Sequence, residues 1–212
     1  MVQYRMGSLD DLDAIYESYA LEFPENERKT KYQLQQLMIR GAYLMLIAEE
    51  HAEDHAIHRI GFACLYVPQN EDFIWLDYLV IERAYQSKGY GSKFFDEMMR
   101  MWSDRKGMFI EIEIPEGDDI NQVRRIAYYE KLGAKRLPIT YHLPTEVNDM
   151  AMYLYFKPAT INASGDNASD NNASVNLSKA YILKAITLAN STIHWDHANL
   201  ETVWRKNQFI DL

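Results

Sequence analysis

Hydrophobic and polar positions recur along this chain with two periods, and the points where one period replaces the other outline its elements. Residues 2–6, VQYRM, alternate as a strand does. Ser8 then stands in an N-cap position, and Leu12, Ile15, Tyr16 and Tyr19 share one face of the helix expected to follow. KYQLQQLMIR (31–40) predicts a second helix, stopped by Gly41. Three apolar runs come next, AYLMLIAEE (42–50), RIGFACLYV (59–67) and FIWLDYLVI (73–81), joined by polar turns that begin with the charged HAEDHAIH. Consecutive strands joined in this way predict an antiparallel meander.

After Gly91 the period lengthens. Phe95, Met98, Met99 and Trp102 follow the spacing of an amphipathic helix that ends near Gly107. MFIEIEI (108–114) restores alternation, with Ile110, Ile112 and Ile114 on one side and Glu111 and Glu113 on the other. Strand, crossover helix and strand predict a parallel βαβ unit. A further helix is expected over 121–132, closed by Gly133, and RLPITYHLP with DMAMYLYF reads as a closing pair of strands.

From residue 159 the composition shifts to ATINASGDNASDNNASVNLS, which cannot bury enough apolar surface to offset its chain entropy and reads as a linker. Asn162, Asn167 and Asn172 each open an NAS triplet there; without a secretory signal, these matches to the N-glycosylation pattern are read as accidental. Beyond it, Ile182, Ala185, Ile186 and Ala189 align on one helical face, and Leu200, Val203 and Trp204 repeat the spacing. The expected organisation is a domain over 1–158, an Asn/Ser-rich linker over 159–178 and a helical extension over 179–212. The tail helices dock either on the domain or on a second copy of it, the latter giving a homodimer.

Composition narrows the function. With 212 residues, 48% hydrophobic, the chain is long enough for one domain with a sizeable core and an appendage. Its net charge of -9 speaks against a sequence-independent nucleic-acid binder and fits a cationic partner better. A single cysteine, Cys64, excludes an intramolecular disulfide and any multi-cysteine zinc site, and its strand setting predicts a buried, inert thiol. His51, His55 and His58 lie in a polar turn and read as solvated rather than as metal ligands. Acidic residues near the start and the lack of an 18-residue apolar window predict a cytoplasmic protein without a membrane span.

The chemistry concentrates in YQSKGYGSKFF, where two glycines sit between an apolar strand and an apolar helix. Backbone amides exposed by such a turn at a helix N-terminus form a site for phosphate oxygens. The spacing is wrong for a Walker A loop. A dinucleotide fingerprint would need a small residue where Phe94 stands. Gln86-Ser87-Lys88-Gly89-Tyr90-Gly91 instead resembles the Q/R-x-x-G-x-G/A signature of the GNAT superfamily of N-acetyltransferases. LDYLVIERAY before it is similar to that family's fourth strand, RRIAYYEKLGAKRL to its second motif, and the order of elements from residue 2 to about 157 follows its fold.

The resemblance implies an α/β (α+β) fold with a mixed central sheet of about seven strands flanked by helices. It implies acetyl-CoA as cosubstrate, no metal, and direct transfer of an acetyl group to a primary amine of a small molecule or peptide. Leu79, Val80 and Ile81 would pair with the pantetheine arm, while Gln86, Ser87, Lys88, Gly89, Tyr90, Gly91 and Ser92 would hold the pyrophosphate. Tyr129 would protonate the departing sulfur. The fourth-strand position that carries a glutamate in some members is Trp75 here, which leaves Asp77 as the favoured base, relaying through water, with Glu22, Glu25, Glu111 and Glu113 as rivals. His142 could face the acceptor, and Lys88 with Arg124 and Arg125 could meet the coenzyme's phosphates. The alternative is a noncatalytic acyl-CoA sensor or interaction protein on the same fold.

Overall fold

A computed structural model describes residues 1–23, 25, 28–41, 43–52, 56–117, 119–146, 148–159 and 177–208. Most of the expected linker, its three NAS triplets and His55 lie outside these residues. Two compact units divide the chain, residues 1–98 and 99–212.

In the first unit, β1 (Val2–Met6) leads to α1 (Leu9–Glu22) and α2 (Lys31–Ile39). Ser8 caps α1 through a box with Asp11, whose Oδ2 accepts from the Ser8 backbone at 2.7 Å. The helix buries Leu12, Ile15 and Tyr19, each at most 1% exposed, and such burial is worth about 1.5–3 kcal/mol per apolar side chain. Thr30 caps α2 in the same way with Gln33. The predicted meander is present: β2 (Tyr43–His51), β3 (Ile57–Tyr66) and β4 (Phe73–Ile81) pair antiparallel in sequence order, with β1 along β2. A Cβ on Gly61 would lie 2.2 Å from the Val80 carbonyl, so glycine is what lets β3 approach the end of β4.

The helix after the glycine turn, α3 (Tyr90–Met101), begins one residue before Gly91 and buries Phe94 together with Phe95 and Met98. Phe94 stacks tilted against Tyr4 at 5.5 Å between ring centroids. The large residue that breaks the dinucleotide pattern is therefore a core side chain.

In the second unit, β5 (Gly107–Glu113), α4 (Ile120–Lys131), β6 (Lys135–Arg136), β7 (Tyr141–Pro144) and β8 (Asp149–Pro158) precede α5 (Lys179–Ile193) and α6 (Leu200–Gln208). β8 pairs antiparallel with β5 on one side and with β6 and β7 on the other, so Met152 faces both Glu113 and Tyr141. The expected single strand over 136–144 is split. Pro138, which has no amide to donate, lies between the two pieces, although Leu137 still donates to Leu154 at 2.8 Å. Ile114 falls beyond β5 and is 38% exposed.

The tail helices are where their periodicity places them, with one change. α5 buries Ile182, Ala185, Ile186 and Ala189, but α6 buries Val203 and Asn207 while Trp204 is 42% exposed, its indole donating to Thr187. Asn207 acts as a partner for β7: its Oδ1 accepts from the His142 amide and its Nδ2 donates to the His142 carbonyl, both at 2.9 Å. An apolar helix face alone would have left those strand groups unpaired. Among the described residues no helix is long and apolar enough to cross a membrane.

Replacing Asn207 by alanine removes both bonds and strands two backbone groups. The variant is expected to lose about 1–3 kcal/mol in urea unfolding of the full chain, with faster amide exchange at His142 than elsewhere on β7.

Candidate active site

The end of β4 and the start of α3 build the first part of the site. Leu79, Val80 and Ile81 pair with Ala63, Phe62 and Gly61 on β3, which fixes one edge of the strand. A single 3-10 turn, Arg83–Tyr85, then leads into the glycine stretch. Ser87 has φ 61 and Gly89 φ 81, a left-handed bend that costs a residue other than glycine on the order of 1 kcal/mol or more. Two side chains brace it: Gln86 Nε2 donates to the Ile81 carbonyl at 2.9 Å and Lys88 Nζ to the Ala84 carbonyl at 2.7 Å.

The amide of Lys93 donates to the Gly89 carbonyl at 3.3 Å and opens the helical ladder. The amides before it, of Gly89, Tyr90, Gly91 and Ser92, are those that a helix start cannot satisfy from within. A Cβ built on Gly89 meets no atom within 4 Å, so the space beside the first of these amides is open. Orphan donors, the positive end of a helix dipole and open space together suit a diphosphate.

The second part lies at a bulge in β4. Cys64 faces Tyr78 and Leu65 faces Leu76, which leaves Asp77 as the extra residue. The strict alternation that would put Trp75 and Asp77 on one face is thus interrupted; Trp75 is fully buried in the core. Asp77 Oδ2 receives two donors, Lys29 Nζ at 2.9 Å and the Tyr43 hydroxyl at 2.5 Å. Among the described residues, Oδ1 accepts no hydrogen bond.

Lys29 is the residue that the sequence reading passed over. Its side chain is 7% exposed and that of Asp77 5%, a buried ion pair, with the ammonium 4.8 Å from the centre of the Tyr78 ring. α1 clasps its backbone, Tyr19 taking the Lys29 amide at 2.6 Å. Tyr19 and Phe23 each meet the Tyr78 ring T-shaped at 4.8 Å between centroids and lie tilted against each other at 5.3 Å. No periodicity marks a lone lysine in a connector, but a buried carboxylate on β4 demands a cation or donor. Burial pushes the nearby Cys64 thiol up to about 12, helped by Asp77, which fits the inert thiol expected.

In the second unit, Tyr129 lies on α4 and is 7% exposed, with Tyr128 T-shaped against it at 5.0 Å between centroids. Burial pushes its phenol well above the ordinary range. Three of the four rival carboxylates are engaged: Glu113 bonds Arg125, Glu111 bonds the Tyr141 hydroxyl, and in the first unit Glu22 pairs with Arg83 at 3.3 Å, while Glu25 is exposed. His142 Nδ1 lies 2.6 Å from Asp149, which also bonds Lys206 of α6. Among the described residues no group of three or more metal-ligating side chains gathers.

Residues 12–134, more than half of the chain, match the model of the Acetyltransferase (GNAT) family. The chain belongs to the GNAT family. A Bacillus subtilis protein named as an acetyltransferase, YjbC, is 24% identical over 153 residues, 68% of this chain and 71% of its own. Among solved structures, a GNAT-family protein from Bacteroides thetaiotaomicron matches with TM-score 0.67 at 18% identity, over 91% of this chain and 98% of its own. The Escherichia coli ribosomal-protein-S18-alanine N-acetyltransferase matches with TM-score 0.56 at 19% identity, over 79% and 98%. The protein thus has the GNAT α/β fold, with a mixed sheet flanked by helices, and is an acetyl-CoA-dependent acetyltransferase.

Gly89→Val is expected to abolish acetyl-CoA binding in calorimetric titration while the far-ultraviolet spectrum stays native, since the side chain enters the space beside the first of the amides. Lys29→Met, which leaves Asp77 buried without its cation, is expected to lower unfolding free energy by about 3–5 kcal/mol in urea titration.

Proposed function

We propose that this enzyme transfers the acetyl group of acetyl-CoA directly to a primary amine of a small molecule or peptide, with Asp77 as base and Tyr129 as acid. The observation that carries this reading is the one-sided engagement of Asp77. Lys29 and Tyr43 hold the carboxylate by Oδ2, and Oδ1 is left to take an N–H of the incoming amine or of a water between them. The pair with Lys29 keeps the buried charge compensated, so the acceptor nitrogen meets an oriented acceptor atom rather than a bare anion.

Acetyl-CoA supplies a thioester whose acyl carbon accepts the amine and whose sulfur departs. The chain's own groups do the rest. The amides of Gly89 to Ser92 hold the diphosphate, and the Leu79–Ile81 backbone orients the arm that follows it. Oδ1 of Asp77 receives the amine's proton, directly or through a water. The Tyr129 hydroxyl, un-ionised at neutral pH because burial favours its neutral form, gives a proton to the departing sulfur.

For the acceptor, the net charge of -9 supports attraction of a cationic amine. The rings of Tyr19 and Tyr78, both hydrogen-bonded to the Lys29 that pairs with Asp77, and Phe23 packed on them, support an apolar or aromatic group next to the reacting nitrogen. The Escherichia coli neighbour acts on an alanine of a ribosomal protein, which makes a peptide N-terminus a fitting member of the first panel.

Thiol release from acetyl-CoA with spermidine, an aminoglycoside, a lysine peptide and a peptide with N-terminal alanine tests the reading. At least one amine is expected to be acetylated at nitrogen, seen as a mass gain of one acetyl group. Binding of acetyl-CoA with no transfer to any amine would oppose it. Asp77→Asn and Tyr129→Phe are each expected to lower kcat by about 100-fold or more with little change in acetyl-CoA affinity. Lost affinity with an unchanged rate per bound complex would remove either residue from its role.

A further inference from the structure

Arg125 and Tyr129 lie four residues apart on α4, so their side chains leave the same face of the helix one turn from each other. Arg125 is not free to wander, because its Nη1 bonds Glu113 Oε1 at the end of β5. Glu113 and Arg125 thereby fasten the strand to the face of α4 that carries Tyr129. Among the described residues, charged and titratable groups that act on the phenol include Tyr128 and Arg125 on its own helix and Glu113 on β5. Burial, Tyr128 and Glu113 all hold the proton on the phenol, and Arg125 opposes them.

This matters for an acid that must let its proton go. A thiol ordinarily has a pKa of about 8.5 and a phenol about 10, so even an unperturbed tyrosine gives its proton to a thiolate against a small gradient. Burial steepens that gradient. Some group must favour the negative oxygen that appears while the proton moves.

We propose that Arg125, held by Glu113, is the positioning residue that stabilises the charge developing on the Tyr129 oxygen during acetyl transfer. The acyl carbon forms its bond to the amine nitrogen, and the carbon–sulfur bond breaks with its electron pair passing to sulfur. The Tyr129 proton then joins the sulfur, and water returns a proton to the phenolate. The amine's own proton leaves through Asp77. This proposal rests on Tyr129 being the acid, and it assigns Arg125 a part different from a contact with the coenzyme's phosphates.

The test uses the full chain and the amine that turns over fastest in the panel above, with kcat and KM from thiol release and affinity from acetyl-CoA titration. The Arg125 side chain is 40% exposed, so Arg125→Gln is expected to keep its fold, checked by melting temperature. Its kcat is expected to fall about tenfold with acetyl-CoA affinity unchanged, a fraction of what removing the acid itself would do. Arg125→Lys, which keeps the charge, is expected to recover most of that loss. In a Tyr129→Phe background, Arg125→Gln is expected to cause no further fall, because the charge has no phenolate left to act on.

Weakened acetyl-CoA binding at unchanged kcat would overturn the proposal in favour of a phosphate contact. The same tenfold loss in both backgrounds, no loss in either, or a loss that tracks melting temperature would overturn it as well. A wild-type protein that releases no thiol with any amine would bring down the acetyl-transfer reading itself, a result visible before any variant is made.

Discussion

A helix cannot satisfy its own first amides, and in this protein that constraint falls at the bend directly after β4. The bend through Ser87 and Gly89 separates α3 from β4, with open space beside Gly89, and the amides of Gly89 to Ser92 lie ahead of the first ladder bond of the helix. The left-handed backbone there is strained for a serine and tolerable for a glycine, and side chains on both sides of it are spent on bracing. Gln86 grips the end of the strand and Lys88 grips the Ala84 carbonyl. In the proposed function the main chain does the recognising, and its geometry follows from where the strand stops.

The same strand carries a second irregularity with a different purpose. Inserting Asp77 as an unpaired residue in β4 turns a carboxylate into a buried region that would otherwise reject it. Lys29 and Tyr43 make its burial tolerable by converging on one oxygen, and the other oxygen is thereby directed rather than dispersed. Tyr19 clasps the lysine's backbone, linking the position of the connector after α1 to the buried carboxylate on β4. A bulge, a buried pair and an aromatic cluster are one arrangement, since each would be unfavourable without the others.

Much of this was legible in the chain because it obeys simple periods. The meander, the capping of α1 by Ser8 and the buried stripe of α5 follow from spacing alone, and the glycine turn announced itself by standing between two apolar runs. What stayed hidden has no period. Lys29 is a single charge in a polar connector, and only the fold brings it within 2.9 Å of a carboxylate 48 residues away. Asn207 falls on an apolar stripe where pattern reading favours Trp204, yet its amide is what β7 needs along its edge. The bulge at Asp77 escaped for a related reason: one extra residue in a strand leaves composition unchanged and shows only in the register of its partner.

The central claim is that the main-chain amides at the start of α3 hold the diphosphate of acetyl-CoA. Its most direct test is a two-dimensional nitrogen–proton spectrum of the labelled protein titrated with coenzyme A. The account predicts that the amides of Gly89, Tyr90, Gly91 and Ser92 shift downfield together, with one common dissociation constant, as they gain charged acceptors. Shifts confined to other parts of the chain, with those four amides unmoved at saturation, would contradict it.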